Sequence, residues 1–98
     1  MLLSLFRIHG HSMEPTILNG SIVLASLLPF FFREPKTNDI VAFADQQTKK
    51  IFIKRIVKHE GQKFYLTGDN KHDSLDSRKI GWVGRNDIVG KVILRLHL

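Results

Sequence analysis

Short runs of β-branched and aromatic residues, each closed by turn-forming residues, recur along this chain and restrict it to a sheet. "SIVLAS" (21–26) follows Asn19-Gly20, "DIVAFAD" (39–45) follows Lys36-Thr37-Asn38, and "KIFIKRIV" (50–57) leads to a turn at Gly61. "KFYLTG" (63–68) ends at Gly68-Asp69-Asn70, and "DIVGKVILRL" spans 87–96. Runs of this length, spacing and composition read as strands. Five of them in 98 residues predict a mainly β fold, a compact coiled antiparallel sheet or partial barrel, with residues 1–98 as a single domain. Only "SMEPTIL" (12–18) reads as briefly helical, with Ser12 as a cap and Pro15 at an early helical position.

One stretch breaks the strand pattern. In "LLPFFFREP" three consecutive phenylalanines, Phe30, Phe31 and Phe32, do not suit a strand with alternating faces. They read either as core or as an apolar surface for lipid or an apolar peptide, and hence as a peripheral membrane contact. No run reaches the roughly 20 apolar residues a membrane span needs. "MLLSLF" stops at Arg7 and lacks a cleavage-site pattern, so it does not read as a signal peptide. The expected location is cytoplasmic or peripheral to a membrane. The formal charge of +6 fits either an anionic partner or an ordinary basic domain. The absence of cysteine excludes disulfides, thiolate metal sites and a cysteine nucleophile.

"GHSMEPT" (10–16) offers a serine that is either a nucleophile or a helix cap. A nucleophilic serine needs a base. On an extended backbone His9 and His11 point away from Ser12, while His59, His72 and His97 occupy turn-like or terminal positions. Lys54 is the alternative. In "KIFIKRIV" it shares a strand face with Phe52 and Ile56, opposite Ile51, Ile53, Arg55 and Val57. Burial there disfavours the ammonium and lowers the lysine pKa, which lets a neutral amine take the serine proton. On pattern alone a snorkelling lysine remains the competing reading. The polar cluster "GDNKHDSLDSR" (68–78) reads as a solvated turn, a cation-binding loop of uncommon spacing, or a set of groups that hold a lysine in place.

In this order "GHSMEPT", "IFIKRIV" and "GDNKHDSLDSRKIGWV…DIVGKV" resemble the type I signal peptidases and the LexA-like serine peptidases, over nearly the whole chain. The resemblance implies a serine endopeptidase with a Ser/Lys dyad. Ser12 would be the nucleophile, Lys54 the general base and Ser74 the hydroxyl that orients the amine. Met13 and Pro15 would shape the nucleophile turn. Gly68, Asp69 and Asn70 would position the site, and Asp76 and Arg78 would form an ion pair behind it. It further implies no cofactor and no metal, and as partner an extended peptide segment of a precursor protein, with small residues before the cut. Three features depart from the family pattern. Gly10 stands where some members carry a serine that donates to the oxyanion, "KHEGQ" replaces a glycine- and proline-containing turn, and the interval from Lys54 to Gly68 is short. This compact form is similar to the nickel superoxide dismutase maturation proteases. Two alternatives accompany this reading: a LexA-like self-cleaving domain, and a small basic β module that binds nucleic acid. The second is disfavoured because the aromatics cluster in "PFFF" instead of alternating with basic residues, so no nucleic acid is expected.

Overall fold

The computed structural model describes residues 2–72 and 79–97. Among them, seven strands form one antiparallel sheet that does not close. They are β1 (Leu3–Arg7), β2 (Ile22–Ser26), β3 (Ile40–Ala44), β4 (Ile51–Glu60), β5 (Lys63–Thr67), β6 (Lys79–Gly84) and β7 (Ile88–Leu96). Across the sheet the order is β1-β2-β7-β3-β4-β5-β6. β7 thus lies in the interior between β2 and β3, and β1 and β6 are the outer edges.

All five expected runs form strands, and two further strands join them. In β1, exposed Leu3, Leu5 and Arg7 alternate with half-buried Ser4 and Phe6. β6 reads "KIGWVG", whose two glycines weaken the strand signal. Gly81 has φ +94°, and the β5–β6 register shifts between Leu66 and Thr67, beside Gly81. Glycine tolerates such a bulge at little steric cost. The short helical turn expected after Ser12 takes the form of consecutive turns. Among them the Ile17 N–H reaches the Met13 carbonyl at 2.9 Å, an isolated helical-type bond, and the Glu14–Pro15 peptide is cis.

The apolar residues divide into two clusters according to strand alternation. Ala42 of β3 packs with Met13, Ile17, Val23, Ile53 and Val92. Its neighbours Val41 and Phe43 point the other way and pack with Phe30, Ile56, Phe64 and Leu66. β3 is therefore covered on both sides.

The three phenylalanines part company. Leu28–Phe31 form a 3-10 turn after β2. Such a turn advances about 120° per residue, which turns Phe31 away from the direction of Phe30. Phe30 is buried at 7% exposure, while Phe31 and Phe32 stand out at 62% and 84%. The guanidinium groups of Arg33 and Arg85 lie 5.7 and 5.4 Å from the Phe30 ring centre. Arg33 also forks onto buried Asp39, at 2.9 and 3.1 Å. The apolar-surface reading therefore does not extend to Phe30.

This division predicts opposite outcomes for two similar substitutions. Phe30→Ala should lower stability by roughly 3–5 kcal/mol. Phe32→Ala should change it by no more than about 0.5 kcal/mol. Thermal or urea denaturation of both variants reads the difference, and equal losses would contradict the assignment.

Candidate active site

Ser12 lies on the loop between β1 and β2, and the loop is fixed from within. Gly10 adopts φ +102°, a conformation open to glycine, and its N–H donates to Asn19 Oδ1 at 2.8 Å. The Asn19 N–H donates to Glu14 Oε2 at 3.0 Å, and His11 Nδ1 lies 3.0 Å from the same oxygen. Met13 and Ile17, at 2% and 1% exposure, anchor the loop in the core. Ser12 is held between exposed His11 and buried Met13.

Lys54 comes from the middle of β4, opposite Val41 of β3. It is 2% exposed, and its Nζ lies 2.7 Å from Ser12 Oγ. All five histidines are exposed.

A second set of contacts locks the loop to β4. Gly68 packs against the Ser12 backbone so closely that a Cβ there would stand 2.5 Å from the Ser12 carbonyl oxygen. Asn70 donates twice, from its N–H to the Ser12 carbonyl and from Nδ2 to the His11 carbonyl, each at 2.8 Å. Asp69 accepts from Thr16 Oγ1 at 2.7 Å and from Arg55 Nε and Nη2 at 2.8 Å each. Thr16 belongs to the Ser12 loop, and Arg55 follows Lys54 in β4. One carboxylate thus ties together the two segments that carry the serine and the lysine. Burial pushes the Asp69 carboxyl up, but hydrogen bonds from Arg55 and Thr16 and the charge of Arg55 outweigh it and hold the group below its ordinary range. The bonds that Arg55 donates to Asp69 raise its guanidinium correspondingly, against the opposing effect of burial.

Of the residues singled out in the sequence, Ser12, Met13, Lys54, Gly68, Asp69 and Asn70 come together here. Pro15 is exposed on the same loop. Ser74, Asp76 and Arg78 lie outside the described residues. Arg55 and Thr16 were not foreseen. The only sequence hint was an arginine alternating with isoleucines in "IFIKRIV", a position that calls for a carboxylate partner.

A cleft of about 630 Å³ opens from the Ser12–Lys54 contact. One wall is Leu5–His9, along β1 and just beyond it, and the other is Lys50–Lys54. Among the described residues β1 pairs only with β2. The Ile51–Lys54 part of β4 pairs only with β3, because β5 joins from Arg55 onward. Two strand edges without partners therefore flank the cleft.

Comparison with known proteins first gives the class, a peptidase-type domain. The family described as "Signal peptidase, peptidase S26" matches residues 1–64 and 59–97. The chain belongs to this signal peptidase family. It is 32% identical over 108 residues to mitochondrial inner membrane protease subunit 1 of Mus musculus, across 89% of this chain and 65% of that one. It is 34% identical over 73 residues to signal peptidase I of Aquifex aeolicus, across 71% of this chain and 28% of that one. Thylakoidal processing peptidase 1 of Arabidopsis thaliana is 26% identical over 132 residues, across 86% of this chain and 39% of that one. The chain thus spans between 28% and 65% of the length of these relatives. No solved structure matches it at the same level of significance.

The Asp69 clamp has a defined pH dependence. Its carboxyl titrates below the ordinary range in the folded chain. The stability it contributes is therefore complete above the unfolded carboxylate value and is lost as pH falls through the folded one. Asp69→Asn should cost about 1–3 kcal/mol near neutrality, because it leaves Arg55 without its charged partner. The deficit should shrink on acidification. Denaturation midpoints followed from neutral to acid pH would test this, and a constant offset would refute it.

Proposed function

We propose that this chain is a serine endopeptidase that removes a leader or signal-type peptide from a precursor protein, with Ser12 as nucleophile and Lys54 as general base. The observation that carries the proposal is the 2.7 Å contact between Ser12 Oγ and the amine of a lysine that is 2% exposed. Burial disfavours the ammonium, so the amine is biased toward the neutral form that can accept a proton. As Ser12 Oγ attacks the scissile carbonyl, Lys54 Nζ takes the hydroxyl proton. The tetrahedral oxyanion is met by backbone N–H groups, with that of Ser12 among them. Lys54 then returns the proton to the leaving amine, and the acyl-enzyme forms at Ser12. A water deprotonated by Lys54 releases it. The family resemblance extends the proposed site to Ser74, as the hydroxyl that would orient the amine, and to Asp76 and Arg78, as a supporting ion pair.

The substrate lies extended in the cleft, where the strand edges of β1 and β4 supply backbone partners. Signal peptidase and processing peptidase, the names borne by the relatives, support a precursor segment as substrate. Contact with a membrane falls to Phe31 and Phe32, exposed at the end of the 3-10 turn after β2 and just beyond it. Among the described residues no helix is long and apolar enough to cross a membrane.

Three measurements test these statements. Ser12→Ala and Lys54→Met should each lower kcat/KM for a signal-like peptide by at least about a thousandfold, with the double variant little worse than either. The acidic limb of the kcat/KM profile should lie well below about 10.4, the ordinary lysine value, and should rise in Phe52→Ser as water enters. A limb that vanishes in His11→Ala would overturn the role of Lys54. Separately, Phe31→Ser with Phe32→Ser should weaken vesicle sedimentation without lowering Tm. Unchanged sedimentation would remove the membrane contact.

A further inference from the structure

The cleft has a charge pattern that the chemistry at Ser12 does not use. Besides Lys54, its charged or titratable lining residues are Arg7, His9 and Lys50, and none is acidic. Among the described residues no carboxylate comes within ion-pair distance of Arg7, His9 or Lys50. The nearest candidate across the β3–β4 turn is Asp45. Its carboxylate is occupied by the Thr48 N–H and hydroxyl, at 2.9 and 2.7 Å. The rest of the lining is apolar, including Leu5, Ile8, Met13 and Phe52.

Lys50, exposed and just before the start of β4, lies four positions before Lys54 and lines the same wall of the cleft. Its backbone is fixed by the Asp45 N–H, which donates to the Lys50 carbonyl at 2.9 Å. At 3.3 Å per residue it stands ~13 Å along the cleft from Lys54. A peptide extended beside β4, with its scissile bond at Ser12, would bring a side chain about four residues from the cut next to Lys50.

We propose that the cleft selects precursor segments that are apolar beside the scissile bond and carry an aspartate or glutamate about four residues away, where Lys50 receives the carboxylate. This rests on the peptidase reading of Ser12 and Lys54 and adds a substrate class to it. Lys50 is exposed, so the effect is that of a partly solvated ion pair and weakens with salt.

The test uses peptides that differ by one residue, Glu or Gln, at successive positions around the cut. The readouts are kcat/KM with the wild-type chain and binding to Ser12→Ala by fluorescence anisotropy. A Glu preference of roughly two- to fivefold is expected at one position about four residues from the cut, falling as ionic strength rises. Lys50→Gln should abolish the Glu/Gln ratio and Lys50→Glu should invert it. Turnover with a ratio near one at every position, or a ratio indifferent to both Lys50 variants, overturns the charge selection and leaves the peptidase reading intact. Absent turnover, with Lys50-dependent binding of the Glu peptides by Ser12→Ala, overturns the peptidase reading and keeps the selection. Absence of both overturns both.

Discussion

An amine at 2% exposure governs much of this structure. Removing an ammonium from water costs several kcal/mol unless its charge is matched, so a lysine at such a depth needs a specific polar arrangement around it. Lys54 meets the Ser12 hydroxyl at 2.7 Å, and Ile53 and Ile56 are buried near it along β4. The serine must therefore be held where the amine can reach it. That requirement explains the density of contacts on the Ser12 loop. Met13 and Ile17 pull it into the core, Asn70 grips two of its carbonyls, and Gly68 leaves room for its backbone.

The charged pair beside the site has a different task from the lysine. Arg55 and Asp69 satisfy each other through two parallel bonds, the geometry that a guanidinium and a carboxylate share best. Because Asp69 also accepts from Thr16, the pair fixes a distance between segments and not only a charge. Adjacent residues of one strand thus divide the work, with Lys54 facing the serine and Arg55 facing the carboxylate that braces it. Alternation along β4 makes that division possible.

How much of this was legible beforehand depended on the kind of signal. β-branched runs bounded by turn residues located five strands, because period-two burial and turn chemistry are both local. β6 escaped because Gly81 and Gly84 dilute its strand propensity, and β1 because its leucines also suit a leader-like segment. The phenylalanine triplet could not be resolved from composition. Only the 3-10 turn decides that Phe30 goes inward and Phe32 outward. Ser12 and Lys54 were legible as candidates through residue chemistry and family resemblance, but Arg55 was not. Its partner lies 14 positions away, and the reason for its placement is a carboxylate that no periodicity reveals.

The position of β7 has a consequence for how the chain is made. It pairs with β2 on one side and β3 on the other, so it joins the β1–β2 segment that carries Ser12 to the β3–β6 segment that carries Lys54. During N-to-C synthesis Ser12 and Lys54 both leave the ribosome tens of residues ahead of the strand that unites their halves of the sheet. Until residues 88–96 have emerged, the sheet has a gap where its middle belongs. Completion of this sheet therefore waits for residues 88–96 to be translated.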